Sequence, residues 1–342
     1  MSLQDVARKT FVPATLRNGA ALLALIVLAL FAWYARNALL LGFGGLIVAT
    51  ILVTAAQPIK RWTPLGHRGA VWLAGLLIAL ALAGLIGLIM PTLTQQAAEL
   101  SDALPAALDR VRGVMGETAL QDMMSSSALL QNLAGHLTRW SAAVMGTTTS
   151  LFFVLVAGGF FAMSPQLHRD GLVSLVAPSS QERTRAVLDR AGKGLRAWLF
   201  GQMIAMVTVG AAVTLGTWLL GLPAPLALGV IAGLLEFVPV LGPVVAALPG
   251  VLLAMTISPT MMIWTAGLYV LVEQLESNML LPMVEQSVAD VPPAVFLLAI
   301  VSIGSIFGIA GVILSAPMTV VAYVLISALY IDPLNGRDTL PE

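Results

Sequence analysis

Residues 225–257 read PLALGVIAGLLEFVPVLGPVVAALPGVLLAMTI, and this stretch decides the fold. Its one charged residue is Glu236. Two full membrane crossings need about 40 residues, more than the block contains. Near its middle stands Glu236-Phe237-Val238-Pro239-Val240-Leu241-Gly242-Pro243. Proline removes a helix hydrogen bond, and glycine frees the backbone to turn. The block is therefore predicted to be a re-entrant hairpin whose tip is broken around Pro239, Gly242 and Pro243. A second block repeats the arrangement. Pro293 and Pro317 stand at the same interval as Pro225 and Pro249, and Phe307-Gly308-Ile309-Ala310-Gly311 interrupts the run between them. Its tip is placed at Gly308 and Gly311. This block is the longer one, which leaves room for its outer arm to cross fully.

A full apolar span precedes each block, at 198–220 and at 260–281. The two hairpins then enter from opposite sides, as an inverted repeat. Non-helical backbone at membrane depth is tolerated only where protein or a water-filled cavity covers it. Paired interrupted segments point to a transporter site at the midplane, and the two tips are expected to lie close together. Prolines and glycines are also frequent in ordinary membrane helices, so plain packing is the competing explanation.

Composition carries the same reading to the whole chain. Its 342 residues are 58% hydrophobic and 10% charged. An ordinary soluble domain is about 45–50% apolar and about 25% charged. So few charges cannot cover a water-soluble globule, and such hydrophobicity excludes a disordered chain. Long apolar runs exclude a barrel of short alternating strands. The expected architecture is all-α and polytopic, with about eight hydrophobic segments. A net charge of zero argues against a nucleic-acid partner. The absence of cysteine removes disulfides, thiol catalysis and Cys-based metal sites.

The segments divide into the first three spans (1–90), extracytoplasmic amphipathic helices (91–143) and a fourth span (144–163). A basic helical loop (164–197), a core with both hairpins (198–331) and a tail (332–342) follow. Gly19–Tyr34 reads as a retained span, because no small-residue cleavage site follows the basic start at signal-peptide distance. Basic residues gather at Arg8, Lys9 and Arg17, at Lys60, Arg61 and Arg68, and throughout 164–197. The positive-inside rule makes these segments cytoplasmic, and parity puts both termini there. Within 91–143, Leu93, Ala97, Leu100, Leu104, Leu108 and Val111 form a helical stripe. It fits lipid or a neighbouring span; a subunit contact is the sharper reading.

Residues 197–336 contain no Lys, Arg or His, yet hold Glu236, Glu273, Glu276, Glu285, Asp290 and Asp332. A carboxylate at a span centre costs about 2.5–3.5 kcal/mol. It must be protonated, bind a cation or reach water. Glu273 and Glu276 share a helix face, and Gln274 and Asn278 extend the polar patch. Glu236, Glu273, Gln274, Glu276 and Asn278 are the candidate substrate- or ion-binding residues. Blander placements compete: Glu276 at the interface, Glu285 and Asp290 in a loop, or one acid neutralised by the basic loop. No catalytic residue, dedicated metal site or cofactor is assigned; the coupling ion is expected to be H+ or Na+.

Several of these motifs resemble one family. Leu220-Gly221-Leu222-Pro223 leading to Gly229 and the 236–243 stretch look like the signature of the autoinducer-2 exporter family of permease-like membrane proteins. So do Glu273-Gln274-Leu275-Glu276-Ser277-Asn278 with Leu281-Pro282, Phe307–Gly311 with Ala316-Pro317, and Gly201-Gln202. The resemblance implies a homo-oligomer in the bacterial inner membrane, and secondary transport. Family activities include export of autoinducer-2, efflux of related small metabolites and sodium–proton antiport. The chain departs from the family at Glu285-Gln286, where a glycine is common. It departs again at Asp290-Val291-Pro292-Pro293, where a Leu-His-Pro loop is common. A loop histidine therefore has no counterpart here.

Other classes fit less well. No phosphate-binding loop ending in Gly-Lys-Ser/Thr is present, so ATP is not the expected energy source. His67, His136 and His168 lie in loops or at span ends, and no His-Glu-x-x-His helix exists, which disfavours an intramembrane enzyme. A sodium–proton antiporter, or an oligomeric channel or scaffold, remains the alternative to metabolite export. The lack of nearby cationic residues in sequence argues against a strongly anionic substrate.

Overall fold

The computed structural model describes residues 33–115, 149–280 and 292–336, with Leu23, Ile26, Val27, Leu30 and Phe31. Most of the expected first span, the 116–148 part of the amphipathic stretch, Glu285 and Asp290 lie outside the described residues. Within them the chain forms α1 (Arg36–Trp62), α2 (His67–Met115), α3 (Thr149–Met163), α4 (Pro165–Ser174), α5 (Gln181–Leu219), α6 (Pro225–Leu235), α7 (Leu241–Ile257), α8 (Pro259–Leu275) and α9 (Pro293–Ile326). π-Helical turns, Glu276–Leu280 and Ser327–Ile331, prolong α8 and α9.

Among the described residues, 4 helical stretches are long and apolar enough to cross a membrane, or 5 if α3 and α4, bent by 86°, form one broken span. The side chains are sorted as lipid demands. Phe152, Phe160, Val207, Trp218, Trp264 and Val270 point outward, whereas Glu236, Thr217, Thr265 and Ser315 are buried. In water this arrangement would expose a large apolar surface; against acyl chains it exposes what lipid solvates. The chain is an all-α polytopic membrane protein.

Helix α5 is the central pillar. At about 1.5 Å per residue its 39 residues rise about 58 Å, so only its second half is needed for a crossing. Val187, Ala191, Leu195, Trp198, Ala205, Val209 and Val213 form one buried stripe along it, against which α6, α8, α9 and α1 pack. It ends in a Schellman turn: Gly221 has φ 72°, Gly221 N–H bonds to Trp218 O at 3.0 Å and Leu222 N–H to Thr217 O at 3.0 Å. The chain re-enters through Ala224, also left-handed at φ 59°, and Pro225 opens α6.

Helices α5 and α6 then touch backbone to backbone. A Cβ on Gly229 would overlap the Thr214 hydroxyl and lie 2.5 Å from Gly210 O, and one on Gly233 would lie 2.6 Å from Met206 O. Small residues are what permit this approach in a membrane.

The two predicted reversals are present. At the first, Leu241 N–H bonds to Pro239 O at 2.8 Å around Val240 at φ 68°, ψ −49°. That is a positive-φ γ-turn, a strained geometry for a β-branched residue. Gly242 is required there, because a Cβ would overlap the Leu235 carbonyl. Pro243 sits in the first turn of α7, where no intrahelical donor is lost. At the second, Gly308 has φ 64°, ψ −146° inside α9. Ile303 O lies 2.5 Å from where a Gly311 Cβ would stand, and Val312 Cγ2 lies 2.7 Å from a Gly304 Cβ. Residues eight apart in a straight helix are about 12 Å apart, so α9 folds back on itself at Gly308.

The basic segments meet at one end of the molecule. His67 Nε2 lies 2.9 Å from Ala162 O, and Arg190 pairs with Asp332 at 2.6 Å. Arg169 pairs with Asp189 at 2.7 Å and so ties α4, which follows α3, to α5; the α1–α2 loop, the end of α3, the start of α5 and the end of α9 are thereby linked. At the opposite end Gln96 Oε1 accepts from Ala227 N–H at 2.9 Å, so α2 caps the start of the first hairpin.

Candidate functional site

The first hairpin carries Glu236 at the end of α6, and α8 carries Glu273 and Glu276 at its end. Ser258 starts α8 by accepting from Met261 N–H at 3.0 Å, with Pro259 next. Glu273 then lies about 21 Å of helix rise from that start. The descending hairpin brings Glu236 to the same depth. One carboxylate oxygen from each of Glu236, Glu273 and Glu276 lies within 4.8 Å of the others. Glu236 is 4% exposed, and its Oε2 has no hydrogen-bond partner among the described residues.

Three oxygens so spaced can surround a small hard cation, whose oxygen ligands sit about 2.3–2.6 Å away for an ion of calcium size. Without positive charge between them, two carboxylates 4.8 Å apart repel by about 3.5 kcal/mol at an effective dielectric of about 20. Protons or a metal cation offset that repulsion.

Gln202 of α5 anchors the tip. Its Nε2 donates to the Glu236 backbone carbonyl at 2.6 Å. One turn away, Trp198 meets Phe237 edge-on at 5.8 Å between ring centroids. Phe237 packs on the cluster of Leu195, Trp198, Ala316 and Val320, with Phe296 and Leu314 beside it. The first tip is thus joined to the arms of the second hairpin. Leucine at position 202 would leave the Glu236 carbonyl without that donor, a loss of about 1–3 kcal/mol. Gln202→Leu is expected to unfold at a lower temperature in detergent and to transport several-fold more slowly; thermal scans beside flux assays check this.

The sequence candidates divide into two groups. Glu236, Glu273 and Glu276 converge. Gln274 and Asn278 are exposed and lie within 3.5 Å of each other, Asn278 Nδ2 donating to Gln274 Oε1. Pro239, Gly242 and Pro243 build the first tip, and Gly308 and Gly311 the second. The sequence offers Gln202 only through its family resemblance, since one glutamine in an apolar span has no local pattern to mark its partner.

A family model described as "AI-2E family transporter" matches residues 22–331. Two proteins of Bacillus subtilis (strain 168), each named "Putative transport protein", are similar to the chain. YueF is 27% identical over 329 residues, covering 88% of this chain and 88% of its own. YrrI is 29% identical over 189 residues, covering 54% of each.

Proposed function

Because the chain belongs to the AI-2E transporter family, we propose that it is a secondary transporter exporting a small metabolite or signal such as autoinducer-2, with Glu236, Glu273 and Glu276 holding the coupling proton or sodium ion. The observation that carries this reading is the convergence of three carboxylates at a broken hairpin tip. Broken segments at membrane depth supply ion sites in transporters because their backbone and side chains face a common cavity. The positive-inside rule favours cytoplasmic termini, and the family resemblance implies a bacterial inner membrane. A homo-oligomer completes the reading, as the family resemblance implies. No phosphate-binding loop is present in the sequence, which leaves coupling to an ion gradient or passive flux; the carboxylate cluster favours the gradient.

Proteoliposomes with a pH dye inside test it. Sodium, potassium and signal metabolites are added in turn, and labelled metabolite is followed. A saturable, gradient-dependent flux is expected. Flux that neither saturates nor responds to any imposed gradient would mean a channel, and ion exchange without metabolite movement would mean an antiporter.

A further inference from the structure

One face of α8 continues the polar line of the site. Thr265, Tyr269 and Glu273 stand at successive four-residue steps, which places them one above another on a helix. Thr265 is 0% and Tyr269 8% exposed. Among the described residues, neither Thr265 Oγ1 nor Tyr269 OH has a hydrogen-bond partner. Threonines in helices ordinarily satisfy themselves by bonding back one turn, and Thr50, Thr54, Thr214, Thr217 and Thr319 all do so. Thr265 does not. Tyr269 is held against α7, where a Cβ on Gly250 would lie 2.7 Å from its hydroxyl. An unsatisfied buried hydroxyl costs about 1–3 kcal/mol; two such hydroxyls share this face of α8, and the face leads to Glu273, whose cluster holds a third orphaned oxygen, Glu236 Oε2.

We propose that Thr265 and Tyr269 form a hydroxyl path that relays protons, through bridging water, between the end where α8 begins and the carboxylate cluster. The proposal rests on the reading of that cluster as the coupling site. Each hydroxyl both donates and accepts, so it can pass a proton without holding charge. Successive steps are about 6 Å of helix rise, and the relay requires water to bridge the side-chain oxygens that stand at these steps. Helix α7 and the membrane half of α5, which pack on α8, carry no titratable side chain. The charged groups facing the path are therefore Glu236, Glu273 and Glu276 at its inner end. By the charge distribution its outer end is extracytoplasmic.

The test compares wild type, Thr265→Val, Tyr269→Phe, the double variant and Thr265→Ser in proteoliposomes, by the rate of the substrate-evoked pH-dye signal. The double variant is expected to slow proton movement at least tenfold while the final extent is unchanged. Thr265→Ser, which keeps the hydroxyl, should retain the wild-type rate. Thr265→Val alone should slow it, which keeps the proposal testable if Tyr269→Phe fails to fold. Unchanged rates in both single variants, with raised thermal stability, would mean dry packing and overturn the proposal. Wild-type export driven by sodium with no proton signal would overturn it and leave the cluster's role standing. A Glu236→Gln protein that still moves protons normally would overturn both.

Discussion

Glu236→Gln is expected to abolish gradient-driven flux, by a factor of 100 or more, while the protein still folds. Glutamine keeps the size and shape of the side chain. It removes one of three negative charges gathered within 4.8 Å, so mutual repulsion falls and folding gains. The backbone bond from Gln202 to the Glu236 carbonyl is untouched. What is lost is a charged oxygen ligand for the cation, in a site where charge-assisted contacts are about twice as strong as neutral ones. Glu273→Gln should act in the same direction. The two changes together should be little worse than Glu236→Gln alone, because residues that act as one site are not additive. Initial flux rates normalised to reconstituted protein measure this.

Gly229→Val is expected to remove the folded protein altogether. The α5–α6 contact brings backbone against backbone at Gly210, Gly229 and Gly233, so even if the Thr214 hydroxyl turned aside, a Gly229 Cβ would still lie 2.5 Å from the Gly210 carbonyl oxygen, which cannot yield without parting the helices. Overpacking a core costs about 1–3 kcal/mol, occasionally more, and this position belongs at the upper end. Separating the helices would also move Glu236, one turn beyond Gly233, away from Glu273. Gly84→Val is the control, since nothing lies within 4 Å of a Cβ there. Size-exclusion profiles in detergent should show dispersed Gly84→Val and aggregated Gly229→Val protein.

Much of the fold is legible in the sequence because membranes constrain it tightly. The helix breakers at Pro239–Pro243 and Gly308–Gly311 predict both reversals, and both are present. What sequence could not supply is how the segments meet. Glu273 and Glu276 share a face by spacing alone, but that Glu236 joins them depends on how far the hairpin descends. The first tip reaches the second hairpin through Phe237 and the cluster around Ala316 and Val320, side-chain packing that no spacing encodes. Gln274 and Asn278 belong to the same patch in sequence, yet 100° per residue turns them to the exposed flank. Thr265 and Tyr269 were within reach: a hydroxyl pair four apart, leading to Glu273 in an apolar span, is a readable helical line.

The most direct measurement imposes a sodium or a pH gradient across proteoliposomes and follows labelled metabolite in wild type and Glu236→Gln side by side. The carboxylate site predicts that one of the two gradients accelerates wild-type flux and that neither accelerates the variant. Equal acceleration in both proteins would contradict it and return Glu236, Glu273 and Glu276 to a structural role.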